Sequence, residues 1–224
     1  MALSRSVQLS VSATCVATLL GLAASGIRAE EGVVAKPYTY GELRFGYVSA
    51  PGADVRQVNS DSATGLTPRS YNGSDSRGFR VGVTYLSGSV PPENLLAKVW
   101  GAQISLGSYS IGDQGVTTRV IQPMVDLYYG WQYGIMETQT LRGFGEFLPY
   151  VGVGGSHVKI EEKARLGYAV ETGLRFGAYL TERTWTAGLT TSYVLGFSKI
   201  KGDQQSLELK TNGFTFGGEF GFRF

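Results

Sequence analysis

Cysteine and histidine are nearly missing from this chain of 224 residues, which holds one of each, Cys15 and His157. One histidine and one cysteine cannot build the usual zinc sites. Cys15 falls within the first 29 residues, which we expect to be removed as a secretory signal, so the mature protein would have neither disulfides nor thiol chemistry. We therefore predict a protein without a metal ion or other cofactor.

Long apolar runs are also lacking, and charged residues are scarce. Beyond residue 29 there is no run of about eighteen uncharged apolar residues, which argues against a membrane protein built of helices. Only 17% of the residues are charged, and loss of Arg5 and Arg28 lowers the 20 basic residues to 18, the number of acidic ones. A formally neutral chain gives no reason to expect a nucleic-acid partner.

Glycine and aromatic residues are abundant instead, with 32 glycines, 13 tyrosines and 11 phenylalanines. The last eleven residues show the pattern most clearly, because successive side chains of a strand point to opposite faces. One face would hold Phe214, Phe216, Gly218, Phe220, Phe222 and Phe224, and the other Thr215, Gly217, Glu219, Gly221 and Arg223. In water such a strand would aggregate, whereas in lipid it has the alternation of a transmembrane β-strand.

The first 37 residues are predicted to lie outside the folded domain. Arg5 gives a short positive region, residues 7–24 are apolar and uncharged, and small residues precede a cleavage site that we place after Ala29. Residues 30–37 then form a periplasmic leader, since Pro37 cannot donate a hydrogen bond to a neighbouring strand. Residues 38–224 remain for the folded domain.

The same alternation recurs along residues 38–224 and predicts eight strands, at 38–50, 77–87, 98–109, 117–133, 146–160, 166–180, 184–197 and 206–224. The number is even, and a sheet that spans a membrane must close to leave no backbone group unpaired. We therefore predict an all-β fold, a closed antiparallel eight-stranded transmembrane β-barrel. Residues 51–76 are predicted to be its long outward loop and 134–145 a periplasmic turn, and Pro123 is expected to mark a bulge.

Two sequence features carry a family resemblance: the terminal phenylalanines, and Pro149-Tyr150-Val151-Gly152-Val153-Gly154-Gly155. With them the chain resembles the opacity-protein and OmpA-type family of eight-stranded bacterial outer-membrane β-barrels. The resemblance implies an outer-membrane monomer with a structural or adhesin-like role, with loop 51–76 as the contact for a host or surface partner. It also implies that Phe220, Phe222 and Phe224 are read by the barrel-insertion machinery.

Charged residues on the inward positions of the predicted strands suggest how the interior is filled. They are Glu42, Arg44, Arg80, Asp126, Glu171, Arg175, Glu219 and Arg223. An eight-stranded barrel is just wide enough for side chains to fill, and paired charges fill it without leaving any charge unpaired. We predict an ion-pair network. The alternative is a narrow channel for small solutes, gated by these pairs.

Two groups of residues are predicted to contact the membrane. Trp100, Trp131 and Trp185 all fall at periplasmic strand ends, where aromatic residues anchor barrels in the interface. Arg119, Lys199, Lys201 and Lys210 map to the outer rim, where they could contact lipopolysaccharide phosphates. A solvated charged rim is an equally good interpretation, because acidic residues lie among them.

Catalysis is not expected. Some small outer-membrane barrels modify lipid A with a serine, a histidine and an acid. Here Ser156 and His157 are adjacent, so on a strand they would point to opposite faces, and the His-x-Ser pairing of lipid A deacylases is absent. A lipid A-modifying enzyme is the least favoured alternative.

Overall fold

The computed structural model describes residues 38–59, 69–71, 77–90, 96–113, 116–137, 140–160, 163–182, 184–201 and 205–224. The predicted signal (1–29), with Cys15, and the predicted leader (30–37) lie outside the described residues. Within the described ranges there is no helix of the length and apolar character needed to cross a membrane.

Ten strands make up the described part of the chain: β1 (Tyr38–Ser49), β2 (Ala53–Asn59), β3 (Arg69–Tyr71), β4 (Arg77–Val90), β5 (Leu96–Asp113), β6 (Val116–Glu137), β7 (Leu141–Ile160), β8 (Lys163–Glu182), β9 (Trp185–Lys201) and β10 (Gln205–Arg223). β1 pairs with β4, and β4 to β10 follow in chain order, each antiparallel to the next. β10 pairs back with β1, from Arg223 opposite Glu42 to Gly217 opposite Val48. Eight strands thus form a closed ring, and the predicted fold class is confirmed.

The pairing register fixes the width of the ring. Paired residues followed from Thr39 around the barrel lead to Phe216. The next residue, Gly217, pairs with Val48, so β10 meets β1 about ten residues beyond Thr39. Strand number and this offset together set the tilt and diameter of a barrel, and eight strands leave an interior that side chains can fill. The site of interest is therefore a packed interior.

Side chains alternate between the two faces of the wall in an order opposite to that of a soluble protein. Large apolar residues face outward, with Ile104 69% and Leu189 70% exposed, while Glu42 and Asp126 inside are fully buried. The phenylalanines of β10 also face outward, and Glu219 faces the interior. The apolar exterior and charged interior follow directly from the period-two pattern of the sequence.

The predicted loop 51–76 is partly wrong, because it contains β2 and β3. β10 pairs with β1 only near its end, and its first residues pair with β2, from Thr211 opposite Ala53 to Gln205 opposite Asn59. This half of β10 would otherwise expose unpaired backbone groups, and β2 satisfies them. At the junction Asn212 N donates to Gly52 O over 3.0 Å, beside Gly213 at a φ of 152° that side chains rarely adopt.

Two further boundaries differ from the prediction. The predicted turn 134–145 is mostly strand, since β6 continues to Glu137 and β7 begins at Leu141. The bulge expected at Pro123 is absent from the described β6–β7 pairing, which keeps one register from Ile121 to Met124 and shifts instead between Gly134 and Met136. A proline removes one hydrogen-bond donor but needs no extra residue, so the register passes it unchanged.

Candidate functional site

A lower cluster of charges fills the half of the barrel nearer the start of β1 and the end of β10. It consists of Glu42, Arg44, Glu146, Arg175, Glu219 and Arg223. Arg44 is fully buried at its centre, with Nε 2.8 Å from Glu42 Oε1 and Nη1 2.9 Å from Glu146 Oε2 and 3.6 Å from Glu219 Oε2. One guanidinium thus holds three carboxylates that come from three different strands.

The other two arginines complete the lower cluster. Arg175 pairs with Glu219, lies 3.5 Å from Glu146 Oε1, and donates to the Tyr179 hydroxyl over 2.9 Å. Arg223 pairs with Glu42 over 2.8 Å near the mouth. Tyrosine rings also cover the guanidinium groups, with Arg44 3.9 Å from the centre of the Tyr179 ring. Three acids and three bases balance, and each buried charge has a partner.

An upper cluster of three charges lies beyond it, formed by Arg80, Asp126 and Glu171. Arg80 donates two parallel hydrogen bonds to Glu171, of 2.5 and 2.7 Å, and a third to the Tyr109 hydroxyl over 3.1 Å. Asp126 is fully buried, yet neither carboxylate oxygen has a hydrogen-bond partner among the described residues. The upper cluster therefore has two acids for one base.

The structure places all eight predicted interior charges inside the barrel, but it divides them into two clusters. Glu146, which is buried and forms ion pairs with both Arg44 and Arg175, was missed by the sequence analysis. Its position was readable, since it lies four residues before the inward Tyr150 and therefore on the same face. The sequence analysis predicts a turn across 134–145 and a strand that begins at Glu146, so it does not assign this residue to a face of the strand.

Apolar side chains close the interior above the upper cluster. Tyr109, Val120, Val158, Ile200, Leu207, Leu209 and Ala53 pack there as one buried group. Between the two charge clusters a cavity of about 30 Å³ is bordered by Arg80, Gln103, Tyr128, Arg175 and Glu219. That volume suits a water molecule or two and is too small for a hydrated ion. Among the described residues, the two charge clusters and the apolar group thus fill the interior in succession.

The outer wall carries an aromatic belt near the lower end. Trp100, Trp131 and Trp185 are all exposed there, with Trp131 stacked on Phe147 and Trp185 packed on Phe220 and Phe222 at 4.9 and 4.3 Å between ring centres. A closed backbone, an apolar outer face and an aromatic girdle are what an even-stranded barrel needs in lipid. The chain is a closed eight-stranded β-barrel with the outer surface of a transmembrane barrel.

The four basic residues predicted for lipopolysaccharide contact do not form one group on this barrel. Lys199, Lys201 and Lys210 lie together at the upper end of the barrel, on β9 and β10, while Arg119 is on β6, several strands away. Lys199 bonds Glu208 over 2.9 Å, and Lys201 and Lys210 are exposed and have no ion-pair partner among the described residues. We call these three lysines the rim lysines.

Ser156 and His157 lie on opposite sides of the barrel wall. Ser156 is buried inside, whereas His157 faces outward between Ile121 and Leu166. The serine hydroxyl and the imidazole therefore cannot share a proton. The described residues also contain no group of three or more histidine, cysteine, aspartate or glutamate side chains arranged to hold a metal ion.

Comparison with known proteins finds similarity to solved structures only. No family model and no curated protein matches the chain. The outer membrane protein OprG from Pseudomonas aeruginosa aligns over 86% of this chain and 99% of its own, with 12% identity and a TM-score of 0.43. Neisserial surface protein A aligns over 84% of this chain and 97% of its own, with 11% identity and a TM-score of 0.36. Ail, the attachment invasion locus protein of Yersinia pestis, aligns over 83% of this chain and 98% of its own, with 16% identity and a TM-score of 0.29. At this identity and similarity they say nothing about function.

Proposed function

We propose that this barrel is a structural and surface-contact protein of the outer membrane, with an adhesin-like role, and that its interior does not conduct solutes. The filled interior carries the proposal. A solute would have to part the ion pairs of the lower cluster, the Arg80–Glu171 pair and the apolar group above them. Breaking one buried ion pair costs about 3–5 kcal/mol, and the pairs are arranged in series.

Conductance measurements on purified protein in planar bilayers test this proposal. We expect no discrete conductance steps from the wild-type barrel at neutral pH. A variant with Arg175→Ala and Glu219→Ala should stay closed as well, because the Arg80–Glu171 pair and the apolar group remain; a porin of known conductance in the same bilayers is the positive control. Steady opening of the wild-type barrel under the same voltage would refute the closed interior.

The narrow channel is the second candidate, and the cavity beside Arg175 and Glu219 is the observation in its favour. In a channel, Arg175 would have to exchange partners to let ions pass. Arg175 pairs with Glu219, whereas Glu171 pairs with Arg80 in the upper cluster. Arg175 and Glu219 are therefore the two charges to neutralise. Under the channel hypothesis Arg175→Gln with Glu219→Gln changes an existing wild-type conductance, whereas under our proposal there is none to change.

Surface contact is proposed through two regions. Segment 51–76, which continues the wall as β2 and β3, would meet a host or environmental partner. The rim lysines would hold lipopolysaccharide phosphates, because Lys201 and Lys210 are exposed, Lys210 lies opposite Phe197, and Lys201 lies four residues beyond Phe197 on β9. Phe220, Phe222 and Phe224 are exposed along β10 and available to the insertion machinery before the barrel closes.

Lipopolysaccharide retention by purified barrels tests the rim lysines. Lys201→Ala with Lys210→Ala should retain less lipopolysaccharide after washing at moderate salt, because exposed charge pairs are screened by salt. Lys98→Ala is the matched control, since Lys98 is equally exposed but lies opposite Trp131 at the lower end. Equal retention by the double variant and the control would leave the rim as a solvated surface.

A non-catalytic role is part of the proposal. It is supported by the separation of Ser156 from His157 across the wall. Lipid A from cells that express the barrel should have an unchanged mass. A new lipid A species that disappears with His157→Ala would establish an enzyme.

A further inference from the structure

The upper cluster holds one negative charge more than it can pair. Both outer nitrogens of Arg80 are used by Glu171, and Asp126 has no donor although it is fully buried. In the lower cluster every acid is matched by an arginine. An ionised carboxylate without a partner in a low-dielectric interior is strongly unfavourable.

Asp126 and Glu171 reach over the same glycine. Asp126 pairs with Gly152 across β6 and β7, and Gly152 pairs with Glu171 across β7 and β8. A Cβ atom built on Gly152 would collide with Asp126 Oδ1 and lie 3.1 Å from Glu171 Cγ. Because Gly152 has no side chain, the carboxyl groups of Asp126 and Glu171, which come from separate strands, share the space above it.

The groups around Asp126 offer no other compensation. The titratable side chains that interact with it electrostatically are Arg80, Glu171, Arg175, Tyr109, Tyr128 and Tyr150. Arg175 is bonded to Glu219 and Tyr179 in the lower cluster, and the tyrosines are neutral at physiological pH. Arg165 lies on β8 six residues before Glu171. Arg80 therefore faces two carboxylates and pairs with one of them, Glu171, while its own Nε has no hydrogen-bond partner among the described residues.

We propose that Asp126 and Glu171 form a proton-binding site in which one proton is shared between the two carboxyl groups. Two like charges in one buried space cannot both be ionised easily, so the pair keeps a proton that either acid would lose in water. With the bound proton, the upper cluster has no net charge. The lower cluster has no net charge either, because its three acids are balanced by three arginines. This site goes beyond the proposed function and holds whether or not the barrel conducts.

The site makes stability depend on pH in a definite direction. In the unfolded chain Asp126 loses its proton near pH 4, whereas in the folded barrel the pair keeps it. The folded state then binds more protons than the unfolded state, so the free energy of unfolding falls as pH rises above about 4. Asp126→Asn, which mimics the protonated acid, should abolish this fall.

The test compares two variants that each remove one acid. Unfolding by urea is measured in detergent micelles at pH values from about 5 to about 9. Folded and unfolded barrels are distinguished by their electrophoretic mobility. Asp126→Asn should be at least as stable as wild type at neutral pH and lack its decline. Glu42→Gln removes a paired, fully buried acid and should be less stable at every pH. Equal destabilisation by both variants would overturn the proposal.

Infrared spectroscopy of the folded barrel detects the proton directly. We expect a protonated carboxyl band at neutral pH that shifts in heavy water and disappears in Asp126→Asn. It should also disappear in Glu171→Gln, which leaves Arg80 to pair with Asp126. Absence of the band from wild type would refute the shared proton. Wild-type stability that differs between sodium, potassium and choline buffers, with no band, would assign the site to a metal cation instead.

Discussion

Arg44 shows how one residue can organise the interior of a barrel. It is fully buried, contacts Glu42, Glu146 and Glu219, and stacks on Tyr179. A guanidinium has five donors in a fixed plane and an apolar face, so it can bind several carboxylates and an aromatic ring together. A lysine ammonium group has no planar set of donors and no apolar face, so it cannot replace both kinds of contact.

Loss of Arg44 should therefore destabilise the barrel strongly. Arg44→Ala leaves Glu146 with its longer contact to Arg175 and removes one of two arginines from Glu42, so we expect a loss of about 3–5 kcal/mol in the free energy of unfolding. Arg44→Lys should recover only part of it. The measurement is equilibrium unfolding in urea, with Arg119→Ala on the outer rim as a control expected to change nothing measurable. An Arg44→Ala barrel as stable as wild type would show that the lower cluster is dispensable.

At the scale of the strands, inward glycines make room for inward tyrosines. Tyr109 folds back over Gly107, where an added Cβ atom would lie 2.8 Å from the ring and from the hydroxyl oxygen. The same hydroxyl accepts a hydrogen bond from Arg80. The abundance of glycine and tyrosine in the composition thus has a local cause, which is the fit of large rings into a narrow interior.

Gly107→Ala should push the Tyr109 ring away from Arg80. We expect a loss of about 1–3 kcal/mol in the free energy of unfolding, the usual cost of overpacking a core. Gly155→Ala is the matched control, since a Cβ atom there would meet its nearest neighbour at an ordinary 3.7 Å. The measurement is the urea midpoint of unfolding for Gly107→Ala and Gly155→Ala. Equal midpoints would mean that the Tyr109 ring moves without loss of stability.

The strands were predictable because each has period-two alternation, whereas the pairings between distant segments were not. β2 contains few large apolar residues, and it forms because β10 needs a backbone partner beyond Gly217, which no local pattern reveals. The interior charges were predictable from the faces of their strands. Their division into two clusters was not, because it depends on how the register staggers neighbouring strands around the ring.

At the scale of the whole molecule, the orientation of the barrel decides which surface a partner can reach. β1 begins and β10 ends at the lower end, where Phe224 N and O bond Gly41 O and N, each over 2.8 Å, and close the ring. The tryptophan belt lies at the same end, and β2 and β3 lie at the other. Surface contact through 51–76 therefore requires the upper end to face the exterior of the cell.

An epitope inserted between residues 62 and 66 tests this orientation. Asn59 would be a poor site, because it pairs with Gln205 and an insertion there would disturb the ladder. We expect antibody to label the epitope on intact cells, since outer-membrane barrels carry their short turns on the periplasmic side and their longer loops outside. The same epitope inserted at residues 138–139, between the end of β6 and the start of β7, should be labelled only after the outer membrane is permeabilised. Labelling in the reverse order would place the rim lysines and segment 51–76 on the periplasmic side, where neither lipopolysaccharide nor a host partner could be reached.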